Sequence, residues 1–162
     1  MMAKDYLFES EIWLPYPVRT VFDFFKRAEN LEQITPPWLN FRILGVSSEK
    51  LTQGTMIDYQ LTLYGVPFRW RTEIAVWAPP YLFVDAQRRG PYRKWVHTHR
   101  FVADNGGTRM SDQVVYQVPG WLLAPLIERH FVRRNVEMIF QYRRERILEI
   151  FPGEGQSTDY TD

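Results

Sequence analysis

The chain has 162 residues, enough for one domain with a sizeable core, and a formal charge of +1, which supplies no overall field for nucleic acid or an anionic membrane. It has no cysteine, which removes disulfides and thiolate metal sites; no run approaches the length of a membrane span, and the N-terminus carries no apolar leader core. The expectation is a soluble cytoplasmic protein, and the aromatic content of 16% supplies rings for a core or for an apolar cavity.

Residues Tyr6–Leu14 alternate apolar and polar positions, which predicts a first strand ended by Pro15 and Pro17. Val18, Val21, Phe22 and Phe25 then fall at helical spacing, and Asn30 is placed to cap a second short helix that buries Leu31 and Ile34 before the Pro36-Pro37 break. Strands are predicted over Phe41–Ser48 and Gly54–Tyr64, the latter with Ile57, Tyr59, Leu61 and Leu63 inward. Gly65-Val66-Pro67 turns the chain into a strand whose Phe68, Trp70, Thr72 and Ile74 oppose Arg69, Arg71 and Glu73. After Pro79-Pro80 comes Tyr81–Gln87.

Two hairpins sharing a central strand follow, with turn signals at Arg88–Pro91 and Asp104–Gly107. Asn105-Gly106 suits a two-residue type I′ turn, because both residues tolerate positive φ. That turn sets Phe101 opposite Met110, His99 opposite Asp112, His97 opposite Val114, and Trp95 opposite Tyr116. All eight share one face, aromatic and apolar with a few ionisable groups. Beyond Pro119-Gly120 the period changes. Trp121–Phe151 reads as one long amphipathic helix, tilted or kinked near Pro125. Its apolar stripe is drawn through Ile127, Phe131, Met138 and Tyr142, and through Val132, Val136, Ile139, Ile147 and Ile150. The polar segment 152–162 reads as a disordered tail, leaving 1–151 as a single α+β domain.

The residues Glu29-Asn30-Leu31, Ile34-Thr35-Pro36-Pro37, Gly54-Thr55, Asp85-x-Gln87-x-x-Gly90-Pro91-Tyr92-x-x-Trp95-x-His97-x-His99-x-Phe101 and Gly107-Thr108-x-Met110-x-Asp112 carry a resemblance to a known superfamily. The chain resembles the START/Bet v1-like helix-grip proteins (SRPBCC), in a bacterial branch of cyclase/dehydrase-like ligand-binding proteins. The resemblance implies a curved antiparallel sheet of about seven strands wrapped around a long C-terminal helix, with two short helices after the first strand. It also implies a cavity between sheet and helix for a hydrophobic small molecule. Members of the superfamily carry sterols, lipids or plant hormones, cyclise polyketides, or form parts of larger oxygenases.

Within that frame His97 and His99 point to one side of a strand and are candidates for acid/base catalysis, with Asp112 as the partner that holds the His99 tautomer and raises its pKa. The plainer reading favoured here is a hydrogen-bonded pair that fixes strand register and polarises one end of the pocket. A metal would need a third ligand from Asp85 or Asp112; no local spacing supplies one, so neither metal nor cofactor is expected. Asp85 and Gln87 are either pocket groups or turn-bonding groups. Arg88, Arg89, Arg93 and Lys94 form either a solvated loop or an attractor for an acidic head group, and His130 is a packing or surface residue.

The expected ligand-binding set is Tyr59, Trp70, Asp85, Gln87, Trp95, His97 and His99 with Phe101, Met110, Asp112 and Tyr116 from the sheet, and Phe131 and Met138 from the helix. The functional expectation is a monomer or weak homodimer that binds an aromatic, polyketide-like or lipid-like molecule and no nucleic acid. One alternative is a cyclase or dehydratase without redox cofactor that uses the His99–Asp112 pair. A second is a protein-interaction module.

Overall fold

The computed structural model describes residues 4–153. Strand β1 (Tyr6–Leu14) is followed by helix α1 (Val18–Phe25), which starts where Pro17 stops the strand and buries Val18, Val21, Phe22 and Phe25 at the predicted spacing. Six strands follow in meander: β2 (Arg42–Val46), β3 (Met56–Leu63), β4 (Val66–Ala78), β5 (Leu82–Arg89), β6 (Lys94–Asp104) and β7 (Gly107–Gln117). They form one antiparallel sheet in the order β1-β7-β6-β5-β4-β3-β2, so the first strand closes against the last.

The β6–β7 register is the predicted one, with Trp95 opposite Tyr116, His97 opposite Val114, His99 opposite Asp112 and Phe101 opposite Met110. It is pinned by Asn105 and Gly106 at φ +47° and +77°, the left-handed pair that a type I′ turn requires.

The segment between α1 and β2 differs from expectation. Ala28–Ile34 is a 3₁₀ run capped at Arg27, and a second short 3₁₀ turn occupies Pro37–Leu39. Asn30 lies inside the first run and caps nothing there. Its amide donates to the Phe24 carbonyl (2.8 Å), one of the acceptors that the end of α1 leaves without a helical partner. Pro36 holds Thr35 in an extended conformation, so the run cannot lengthen into a regular helix.

The C-terminal helix is built in three parts: α2 (Ala124–Ile127), a π turn (Glu128–Val132) and α3 (Arg133–Ile150). It packs across the sheet, with Phe140 on Phe8 (centroids 4.6 Å apart) and Phe151 against Tyr16 and Phe24. The buried line is Val136, Phe140, Arg143 and Ile147. Phe131 and Met138, both expected in the pocket, are exposed and line no part of it; Phe131 instead meets Tyr64 edge-on at the β3–β4 turn. The π turn inserts an extra residue, so a stripe drawn at constant period from Ile127 to Tyr142 crosses a rotation of about 100°. Met138 lies two positions from Val136, about 200° around the axis. Among the described residues no helix is long and apolar enough to cross a membrane. The tail expected from Pro152 lies outside the described residues beyond Gly153.

Candidate functional site

The apolar interior does not close completely. Between α3 and the inner face of β3–β6 lies a cavity of about 160 Å³, bounded on the remaining side by the two 3₁₀ turns. Tyr59, Trp70, Tyr92 and Trp95 make an aromatic wall in which Trp70 stacks on Tyr59 (5.7 Å) and meets Trp95 edge-on (5.5 Å). The opposite end is polar and carries Asp85, His97, His99 and Arg143.

These groups are brought together by three adjacent strands and the helix. On β6, alternation turns both imidazoles inward, 3.7 Å apart between centroids, and Phe83 of β5 stacks on His99 at 4.0 Å. Each histidine has a carboxylate directly beside it, His97 next to Asp85 on β5 and His99 next to Asp112 on β7. The aligned hydrogen bonds are crossed. His97 Nε2 donates to Asp112 Oδ1 and His99 Nε2 donates to Asp85 Oδ2, both at 2.7 Å. Directly opposed residues sit too close for a ring that stands off the sheet to reach its neighbour's carboxylate end-on, whereas the diagonal matches the length of an imidazole. His99 Nδ1 also lies 3.1 Å from Asp112 Oδ1, close enough for charge but not aligned for a hydrogen bond. The expected His99–Asp112 pairing is therefore a contact within a four-member cluster, and the partner that Asp112 orients is His97.

Burial pushes both carboxyls up, but it is outweighed. Hydrogen bonding from His99 and the nearby cations hold Asp85 below its usual range, and Arg143 with the two imidazoles holds Asp112 well below. For His97, burial and the charge of His99 win, and its pKa falls. Burial also opposes the charged form of His99, but its close contacts with the Asp112 and Asp85 carboxylates and their negative charge prevail, and its pKa rises. The cluster thus sets two carboxylates and the Arg143 guanidinium around a His99 shifted toward its charged form and a His97 shifted toward its neutral form. In its neutral form His97 carries its proton on Nε2, toward Asp112, leaving Nδ1 as the bare nitrogen 3.7 Å from Asp85.

The ligand atoms of Asp85, His97 and His99 lie within 4.8 Å of one another, a two-histidine, one-carboxylate set suited chemically to a divalent cation. Such an ion would compete with the His99 proton for the same Asp85 oxygen.

Tyr59, Trp70, Asp85, Trp95, His97 and His99 thus line the cavity. The other expected residues sit elsewhere. Asp112 is buried behind the histidines. Phe101 and Met110 pack with α1 and Ile147 in a solid part of the core. Tyr116 is buried under Trp95 and donates its hydroxyl to Glu128 (2.9 Å). Gln87 serves the turn: its amide donates to the Tyr92 carbonyl at 2.7 Å. Sequence reasoning passed over Arg143 and Thr72. Arg143 had a signal, since it falls at i+7 from Val136 and i+3 from Phe140 on the buried line, where a charged residue is out of place.

Residues 14–141 match the family described as polyketide cyclase/dehydrase and lipid transport. Similar solved structures include a protein from Chromobacterium violaceum (12% identity, 92% of this chain and 99% of that one, TM-score 0.70) and a protein from Thermus thermophilus (19%, 90% and 99%, TM-score 0.62). A major latex-like protein from Panax ginseng is similar too (9%, 92% and 99%, TM-score 0.66). At these identities the likeness is one of fold. No curated protein matches the sequence.

Proposed function

The chain belongs to the polyketide cyclase/dehydrase and lipid-transport family, and from that premise we propose that it binds a small, ring-containing hydrophobic molecule between the sheet and α3. The observation that carries this is the cavity itself: about 160 Å³, aromatic along one wall and polar at one end. A dry apolar cavity of about 150 Å³ is enough to take up benzene, and ligand pockets combine an apolar lining with a few orienting polar groups. Calorimetry with alkylbenzenes and naphthalenes should give saturable one-to-one binding, weakened in Trp95→Ala. Heats that never saturate for any of them would refute it.

A cyclase or dehydratase reading is supported by one further feature. His97, shifted toward its neutral form, and His99, shifted toward its charged form, face the same space, a candidate base and acid within one cluster. On that reading His97→Asn and His99→Asn abolish turnover of a substrate whose binding they largely spare. An interaction module would use the exposed Trp121, Leu122, Leu123 and Leu126 at the start of the C-terminal helix; the open cavity makes ligand binding the leading reading.

A further inference from the structure

Besides His99, whose Nδ1 lies against Asp112, three buried side chains facing the cavity have polar atoms without a hydrogen-bond partner among the described residues: Nε and Nη2 of Arg143, Nε1 of Trp70 and Oγ1 of Thr72. Their residues are 9%, 5% and 4% exposed. Arginine and tryptophan are donors only, so what complements them must accept.

Arg143 projects from the helix wall. Its guanidinium is held over Phe25 (5.6 Å) and Phe140 (6.0 Å), and the nearest carboxylate oxygen, Asp112 Oδ1, is 3.9 Å from Nη2 and already accepts from His97. Nε–H and Nη2–H run parallel along one edge of the guanidinium, the fork that a carboxylate engages with both oxygens. Trp70 and Thr72 project from the sheet wall, two residues apart on β4 and therefore on one face. Their donors are neutral, and a second buried charge facing only neutral donors would lose more hydration than they restore. A carbonyl oxygen suits them better.

We propose that the ligand is an apolar ring compound with two oxygen acceptors, a carboxylate for Arg143 and a carbonyl for Trp70 and Thr72: an aryl keto acid. The proposal rests on the ligand-binding reading and names the chemical class that the site selects.

Four phenyl compounds of similar size separate the contributions: benzoylpropionate with both oxygens, phenylbutanoate with the carboxylate alone, butyrophenone with the carbonyl alone, and butylbenzene with neither. Affinities are measured by calorimetry on the unmodified protein. Each acceptor should tighten binding about tenfold or more over butylbenzene, and both together about a hundredfold. Arg143→Met should erase the advantage of the two acids only, and Trp70→Phe with Thr72→Val the advantage of the two ketones only. Should Arg143→Met fail to fold, Arg143→Lys keeps the charge without the fork and should lose most of the carboxylate preference. If butylbenzene binds as tightly as benzoylpropionate, the proposal falls while ligand binding stands. If none of the four saturates, both fall.

Discussion

His97 and His99 share one face of one strand and burial opposes the charge of both, yet their titrations shift in opposite directions because the carboxylates outweigh burial only at His99. His99 is raised above its ordinary 6.5, so its contribution to stability is fully present below that pH and is lost as pH rises through its folded value. His97 is lowered, so the stability of its neutral form is present above 6.5 and is lost as pH falls through its folded value. Asp112, held well below 3.8, contributes above that pH and loses its contribution as pH falls through its folded value. Melting temperature should therefore decline on both sides of near-neutral pH, and His99→Asn should flatten the alkaline limb while leaving the limb below pH 3.8. An alkaline limb unchanged in that variant would contradict a raised His99 pKa. Asp112→Asn leaves the cations of His99 and Arg143 short of a counter-charge in a buried site, which should cost about 3–5 kcal/mol in urea unfolding. A loss near zero would show that the cluster does not hold its charge.

Among the elements, the C-terminal helix gives the sharpest contrast. Ile147 is 2% exposed and packs among Phe25, Phe101 and Met110, so Ile147→Ala should cost about 2–5 kcal/mol. Met138 is 44% exposed, and Met138→Ala should stay within about 0.5 kcal/mol. Denaturant midpoints for the two variants check the helix phase directly, and equal losses would place the buried line elsewhere. The β6–β7 hairpin makes a second test. Gly106 sits at φ +77° with open space where a Cβ would go, so Gly106→Ala should cost about 1 kcal/mol from backbone strain alone. The hairpin was readable in advance, because strand alternation and Asn-Gly chemistry are local. The helix phase was not, because the π turn after α2 shifts the register between two stretches that each look periodic.

For the whole molecule, the cavity links stability to occupancy. A ligand present at a hundred times its dissociation constant should raise unfolding free energy by about 2.7 kcal/mol, seen as a concentration-dependent rise in melting temperature. Tyr116→Ala, under the aromatic wall but outside the cavity, should lower stability more than affinity. The sequence by itself determined the order of elements, the inward faces of β3, β4, β6 and β7, and the Asn105-Gly106 register, since side-chain period and turn chemistry depend only on neighbouring residues. It also placed two histidines and Asp112 on one inward face, and left Asp85 open between the pocket and the turn. Only the tertiary structure decided which carboxylate each histidine bonds, because β5 and β7 flank β6 from opposite sides and the favourable reach is diagonal. It likewise decided that Arg143, distant in the chain and on the helix, completes the cluster, and that Phe101, Met110 and Tyr116 fill core while Thr72 faces open space. Close packing of large rings leaves its gap wherever the shapes fail to meet, and no spacing along the chain encodes that place.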